Sequence, residues 1–180
     1  MKKAMLSATI LASTLLAGTA FAKDVKDIVP EVVQAAANPA VVQAVKEQNA
    51  KGLTLAKIQE TDKAWSSATE PDAFMKSFTT NAAAKALAST EKSKPYLIEF
   101  ILTDNQGANV AVTALTSDYW QGDEPKFTNA FADGTGKPYI ARPQKDKSSG
   151  EVISQVSVPV MAGDKAIGTL TVGVRVEKLK

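Results

Sequence analysis

The sequence predicts an α+β fold, with helices in the first half of the chain and a five-stranded antiparallel sheet in the second. Three observations carry this. Apolar residues recur at helical spacing between Asp27 and Lys92, the period drops to two after Pro95, and short polar turns separate the later strands.

Each element has its own signal. Ile28, Val29, Val32, Val33 and Ala36 mark a first helix over Asp27 to Ala37. Asn38-Pro39 reads as an N-cap followed by proline at the first helical position, opening a second helix that carries Val41, Val42 and Val45 and ends near Gly52. Thr54 caps a third, with Leu55, Ile58, Asp62 and Trp65 along one stripe. Pro71-Asp72 opens a short helix with Phe74 and Phe78, and Asn81 caps another that Lys94-Pro95 stops.

Beyond Pro95, Tyr96 to Thr103 alternates, placing Tyr96, Ile98, Phe100 and Leu102 on one face and Leu97, Glu99 and Ile101 on the other. Asp104-Asn105-Gln106-Gly107 is a tight turn and Asn109 to Leu115 the returning strand. A polar, aromatic connection over 116–136 holds a short helix from Glu124 to Ala132, with Asp123 as its expected N-cap. Lys137 to Gln144, Glu151 to Met161 and Lys165 to Val176 complete the sheet through hairpins at Lys147-Ser148-Ser149-Gly150 and Ala162-Gly163-Asp164. Both faces of the first strand are largely apolar. The helices must therefore cover one side of the sheet and the 116–136 connection the other, which puts a small-molecule pocket between connection and sheet.

Composition removes much chemistry. The chain has 180 residues, no cysteine and no histidine. Thiolate nucleophiles, disulfides, iron–sulfur clusters, imidazole proton shuttles and His-ligated metals are excluded. No paired acid and base stands at catalytic spacing, so a non-enzyme without cofactor is expected. Asp123-Glu124 is no metal site, and Asp104 to Gly107 lacks the second acidic cluster of a calcium loop.

Residues 1–22 read as a secretory signal: Met1-Lys2-Lys3, an apolar run from Ala4 to Gly18, and Ala20-Phe21-Ala22 before a cut that leaves Lys23 first. Losing Lys2 and Lys3 takes the 21 basic residues to 19, equal to the 19 acidic ones, so neither nucleic acid nor an anionic membrane is favoured as a partner. The expected product is periplasmic, with a helical segment over 23–94 packing as one domain on the sheet and lid of 95–180.

Thr116 to Phe127 (Thr-Ser-Asp-Tyr-Trp-Gln-Gly-Asp-Glu-Pro-Lys-Phe), the Asp104-Gly107 turn, Gln155 to Val160 and Ile167 to Val174 together resemble the Cache (PDC-type) extracellular sensor domains over roughly Pro95 to Val176. The earlier residues match only in being helical. The resemblance implies a PAS-like sheet of order 2-1-5-4-3 behind N-terminal helices. It also implies a role in binding small solutes such as amino acids, amines or carboxylates, with a membrane receptor or kinase as partner. In such receptors the last strand feeds a transmembrane helix, whereas this sequence stops at Lys180, so a module without its own output domain is expected.

Six residues are the candidate ligand contacts. Asp118, Tyr119 and Trp120 sit where lid meets sheet, and offer either a carboxylate and aromatic wall for an ammonium group or a filled lid core with a capped turn. Arg142, one of two arginines, offers a bidentate donor to a ligand carboxylate, or else pairs with Glu99 or faces solvent. Tyr139 shares its strand, but regular alternation turns the two to opposite faces unless a bulge intervenes. Ser157, with Gln155 on the same face, supplies hydrogen bonds to a ligand or to water. Glu99 is the candidate for a perturbed acid, and Arg175 is read as structural. Without a pocket, the fold would serve as an interaction module, pairing with a second copy of itself as a homodimer or with another chain through exposed valines of the N-terminal helices (Val29, Val32, Val33, Val41, Val45).

Overall fold

The computed structural model describes residues 23–146 and 150–179. The expected signal segment and most of the Lys147-Gly150 hairpin lie outside the described residues. A 3-10 turn, Val25–Ile28, leads into α1 (Val29–Ala36), followed by α2 (Pro39–Ala50), α3 (Leu55–Ser67), α4 (Ala73–Thr80) and α5 (Ala82–Lys92). The sheet and lid follow: β1 (Leu97–Thr103), β2 (Asn109–Val112), α6 (Pro125–Phe131), β3 (Tyr139–Ile140), β4 (Gln144–Lys145), β5 (Val152–Ala162) and β6 (Lys165–Arg175). Among the described residues no helix is long and apolar enough to cross a membrane.

The helix starts follow capping chemistry. Asn38 accepts the Ala40 N–H at 2.9 Å, Thr54 that of Lys57 at 3.3 Å, Asp72 that of Met75 at 2.8 Å and Asn81 that of Ala84 at 2.9 Å. Each such cap contributes about 1 kcal/mol by satisfying an N–H with no intrahelical partner. The lid helix departs from expectation. Its N-cap is Glu124, not Asp123, and no side chain caps it; Pro125 occupies the first turn, where a missing N–H costs nothing.

The strands run antiparallel in the order β2-β1-β6-β5-β3, with β4 also paired to β5. The expected strand over Lys137 to Gln144 is broken. Tyr139 and Ile140 pair with Ser157 and Val156, the chain leaves the ladder after Ala141, and Gln144 and Lys145 rejoin opposite Ile153 and Val152. Pro143 has no N–H to give a ladder at this point. With β3 and β4 taken as one interrupted strand, the order is the expected one.

Each sheet face has its own core. Phe100, Leu102, Val156, Val158, Leu170, Val172 and Val174 meet α1, α2 and α5 on one side. The valines of those helices form this contact: Val32, Val41 and Val45 are buried, and only Val33 is well exposed. The expected exposed valine stripe is thus corrected, because the helical periodicity that produced it is the face that packs on the sheet. On the other side Ile101, Ala108 and Val112 meet Ile58, Trp65, Met75, Phe78 and Tyr119, while α6 packs across β5 and β6.

One residue overturns the expected alternation in β1. Ile98 pairs with Gly173 and Phe100 with Val172, so Glu99 is an extra residue in a bulge, with φ of 54°. Leu97 therefore falls on the same side as Phe100 and Leu102 rather than opposite them. The returning strand is also shorter than expected, ending at Val112; Thr113 instead folds its hydroxyl back to accept the Phe100 N–H at 2.9 Å.

The segment after β2 is fastened by α3. Asp62 Oδ1 accepts the N–H groups of both Tyr119 (2.8 Å) and Trp120 (2.9 Å), and Trp65 Nε1 donates to the Thr116 carbonyl at 2.9 Å. Gly107, at φ +85°, lies so close to Gly122 that any Cβ there would strike its backbone. Asp62→Ala is expected to lower stability by ~1–3 kcal/mol, since it strands two amide donors. Chemical denaturation checks this, together with faster amide exchange localised at Tyr119 and Trp120.

Asp104 closes the β1–β2 turn, its Oδ1 accepting the Gln106 and Ala108 N–H groups at 2.8 and 2.9 Å. Burial raises its pKa, and the hydrogen bonds to its carboxylate only partly offset this. The folded state thus holds the proton to higher pH than the unfolded chain does, near 3.9. Asp104's contribution to stability is full below the unfolded pKa and falls as pH rises through the folded one. Melting curves across this range are expected to show that fall, flattened in Asp104→Asn whatever that change does to the midpoint itself.

Candidate functional site

The sheet face that carries α6 is polar along its floor. Thr103, Thr169, Thr171, Gly173, Gln155, Ser157 and Pro159 occupy register positions on it. The hydroxyls pair among themselves, Ser157 with Thr171 at 2.9 Å and Thr103 with Thr169 at 2.7 Å, both fully enclosed. Such pairs satisfy buried donors without a guest. Ser157 is wholly buried, and Tyr139 lies directly opposite it on β3.

Beside the lid, towards the start of β1, this face opens into a cleft of ≈ 410 Å³. Its walls include Glu99, Arg142, Gln144, Ile153 and Gln155. The interrupted strand makes it. Ala141 stays tied to β5, its N–H donating to the Gln155 carbonyl at 2.9 Å and its carbonyl accepting from Ser154 Oγ at 2.7 Å. The residues beyond are freed from the ladder, so the strand alternation that set Arg142 opposite Tyr139 does not apply and Arg142 borders the cleft.

Glu99 is exposed at the opposite wall. Its left-handed backbone costs about 1–2 kcal/mol in a residue with a Cβ. The cleft walls crowd its carboxyl enough that desolvation raises its pKa; Lys126 opposes the shift, and Asp146 and Glu91 reinforce it. Lys126, on the buried side of α6, pairs with Glu124 at 2.9 Å. Among the described ion pairs none joins Arg142 to Glu99. Lys145 and Asp146 also line the hollow, so two cations, two carboxylates (Glu99 with its raised pKa) and the Gln155 amide border it, a donor set for a small solute carrying both charge signs.

The lid triplet lies elsewhere. Tyr119 is buried among Trp65, Phe74 and Phe78, with ring centroids 5.7, 6.1 and 5.6 Å away. Its hydroxyl accepts from Gln48 Nε2 at 3.4 Å, and burial, with the nearby Asp104 charge, pushes its pKa up to about 12. Trp120 Nε1 donates to the Gln106 carbonyl at 2.7 Å, and Asp118 accepts from Ser66 and Ser117 hydroxyls at 3.3 and 2.7 Å. These three organise the segment around the β1–β2 turn and do not border the cleft. Of the six candidates the fold brings Tyr139 to Ser157, and Arg142 to the cleft with Glu99 and Gln155. Sequence reasoning missed Lys126, whose only signal was a lysine on the apolar side of a short helix beside Phe127. Arg175 binds Glu151 at 2.7 Å and the Pro95 carbonyl at 3.2 Å, a tie between strand ends.

No family model matches the chain, and no curated protein matches it. Solved structures do. The sensor domain of the Vibrio cholerae histidine kinase DctB aligns over 86% of this chain and 50% of its own, at 12% identity and a TM-score of 0.50. The ligand-binding domain of the Pseudomonas aeruginosa amino acid chemoreceptor PctC, in complex with GABA, aligns over 87% of this chain and 63% of its own, at 15% identity and a TM-score of 0.41. That of the Campylobacter jejuni chemoreceptor Tlp3, with 4-methylisoleucine, aligns over 86% and 61%, at 15% and 0.43. The chain thus spans about half to two thirds of the length of these domains. With α1, α2 and α5 on one sheet face, and α3, α4 and the lid on the other, this chain has the fold of the Cache (PDC-type) sensor domains.

Proposed function

We propose that this chain is an exported, non-enzymatic sensor module that reversibly binds a small polar solute, of the amino acid, amine or carboxylate class, in the cleft beside the lid. The loaded form is then presented to a membrane receptor or kinase. The observation that carries the reading is the opposed pair Arg142 and Glu99 across a hollow of ≈ 410 Å³, within the ~300–1,000 Å³ range of small-molecule sites. Arg142 takes the solute's carboxylate through two parallel N–H donors. Glu99 and Gln155 take an ammonium or hydroxyl group. Asp118, Tyr119 and Trp120 hold the lid segment in place, and Tyr139 with Ser157 forms the wall next to the cleft.

Export through cleavage after Ala22 fits the first turn of the fold. The Lys23 ammonium pairs with Glu31 at 2.9 Å, and the Tyr96 hydroxyl donates to the same carboxylate at 2.8 Å. A chain that begins at Lys23 keeps this anchor.

A thermal-shift screen of amino acids, amines and organic acids tests the reading, since a solute at 100 times its Kd adds ~2.7 kcal/mol. At least one is expected to raise the melting temperature of the native protein, and Arg142→Ala to abolish that rise while its own melt stays unchanged, as an exposed residue's should. If no solute shifts the melt, or Arg142→Ala leaves the shift intact, the cleft is not the site.

Glu99→Gly separates strain from function. Relief of the left-handed backbone is expected to raise the ligand-free melting temperature, while loss of the carboxylate weakens binding of any solute that carries an ammonium group. Calorimetric titration of the same solute against both proteins reads the difference.

A further inference from the structure

A second hollow, of ≈ 530 Å³, lies at the opposite edge of the sheet, between α2 on one side and α4 with the start of α5 on the other. Ala40, Ala44, Gln48 and Lys51 succeed one another down the wall that α2 provides, at the spacing of one helix face. Phe74 and Phe78 form the facing wall, and Val110 contributes to the lining from β2. Phe74 is 49% exposed although its ring meets Phe78 edge-on at 5.0 Å. An apolar trench with an uncovered aromatic rim is a place where apolar surface remains to be buried.

One end of the trench carries a located positive charge. Lys51 Nζ donates to Gln48 Oε1 at 2.9 Å, and Gln48, itself buried, donates from its amide nitrogen to the Tyr119 hydroxyl at 3.4 Å. The amide is held at both ends, which fixes where the ammonium sits. None of the described ion pairs uses Lys51. The acid on the same wall, Glu47, is engaged by the Gln43 amide at 2.8 Å.

We infer that this trench is a second ligand site, taking a small free amphiphilic monocarboxylate. The apolar body lies between Ala44 and the two phenylalanines, and the carboxylate meets the Lys51 ammonium. Position selects the acid. Glu47 keeps its charge but is drawn towards Gln43, a turn earlier on α2. The Lys51 ammonium instead stands at the end of the trench, where an alcohol of equal length leaves it without a counter-charge and an amine meets a like charge. The site is independent of the Arg142 cleft and stands whether or not that cleft binds a solute.

Titration of the protein with octanoate, followed by amide chemical shifts, tests this, with octanol and octylamine as controls. Saturable shifts are expected at Gln48, Lys51, Ser77 and Asn81, with octanoate binding more tightly than either control. Lys51→Gln is expected to weaken octanoate about tenfold, the loss of ~1.4 kcal/mol. Ala44→Phe, which fills the trench, is expected to abolish binding; should that variant fail to fold, Lys51→Gln decides alone. The inference is overturned if octanoate does not saturate, if it binds no better than octanol or octylamine, if Lys51→Gln binds it unchanged, or if the shifts centre on Arg142 and Gln155.

Discussion

The bulge at Glu99 is the constraint on which the geometry of the molecule turns. β1 lies inside the sheet, between β2 and β6, and both of its faces are covered. Without an inserted residue, strict alternation would set Leu97 on the face opposite Phe100 and Leu102, away from α1, α2 and α5. The extra residue returns Leu97 to that core and turns the Glu99 carboxylate outward beside the lid. The same departure from regular pairing thus closes the hydrophobic core and delivers a charged group to the cleft. A left-handed glutamate costs about 1–2 kcal/mol, and a glycine would carry the turn without that cost. Its presence where a carboxylate borders a cleft accords with the tendency of backbone strain to gather at functional positions.

A second irregularity answers the first across the hollow. The third strand of the meander breaks after Ile140 and resumes at Gln144, and the break lets Arg142 leave the ladder. Two defects in the sheet bring Glu99 and Arg142 to the hollow, where Lys145 and Asp146 join them. A perfectly paired sheet of this sequence would place Arg142 by strand parity and Glu99 against the packed lid face. The enclosed hydroxyl pairs of Ser157 with Thr171 and Thr103 with Thr169 show the contrast, since where pairing is regular the polar floor satisfies itself.

Much of the fold was legible in the sequence because its signals are local. Asn38-Pro39, Thr54, Asp72 and Asn81 mark helix starts through hydrogen bonds that reach only two or three residues along the chain, and the change of period after Pro95 needs no tertiary knowledge. The two breaks were not legible in position, since a one-residue insertion in a strand leaves hydrophobic alternation nearly intact on either side of it. Arg142 was legible as one of two guanidinium groups in the chain, and Glu99 as a carboxylate among apolar neighbours. Lys126 was not: it is one of many lysines, and only the packing of α6 on the sheet buries it. Asp62 stood out merely as a member of a helical stripe, because its two acceptor bonds go to residues 57 and 58 positions away. Tyr119 and Trp120 were conspicuous aromatics whose side chains proved to organise the lid segment.

Tyr119 also joins parts of the molecule that the sheet separates. Its ring packs on Phe74 and Phe78 of the trench wall, its hydroxyl is held by Gln48, and its backbone N–H is held by Asp62 on α3. A guest seated against Phe74 and Phe78 therefore presses on a residue that is fixed at both its side chain and its main chain. Rigid attachment at three points leaves little room for the ring to yield alone, because a close-packed interior passes small displacements on to its neighbours. The segment over 116–121 and helix α3 must then move with it or resist it together. Asp62 shares this joint with Trp65, whose Nε1 holds the Thr116 carbonyl and whose ring belongs to the aromatic cluster. Losing the two Asp62 amide bonds therefore loosens the tie between α3 and the lid segment, while Trp65 still carries the displacement from the cluster into α3.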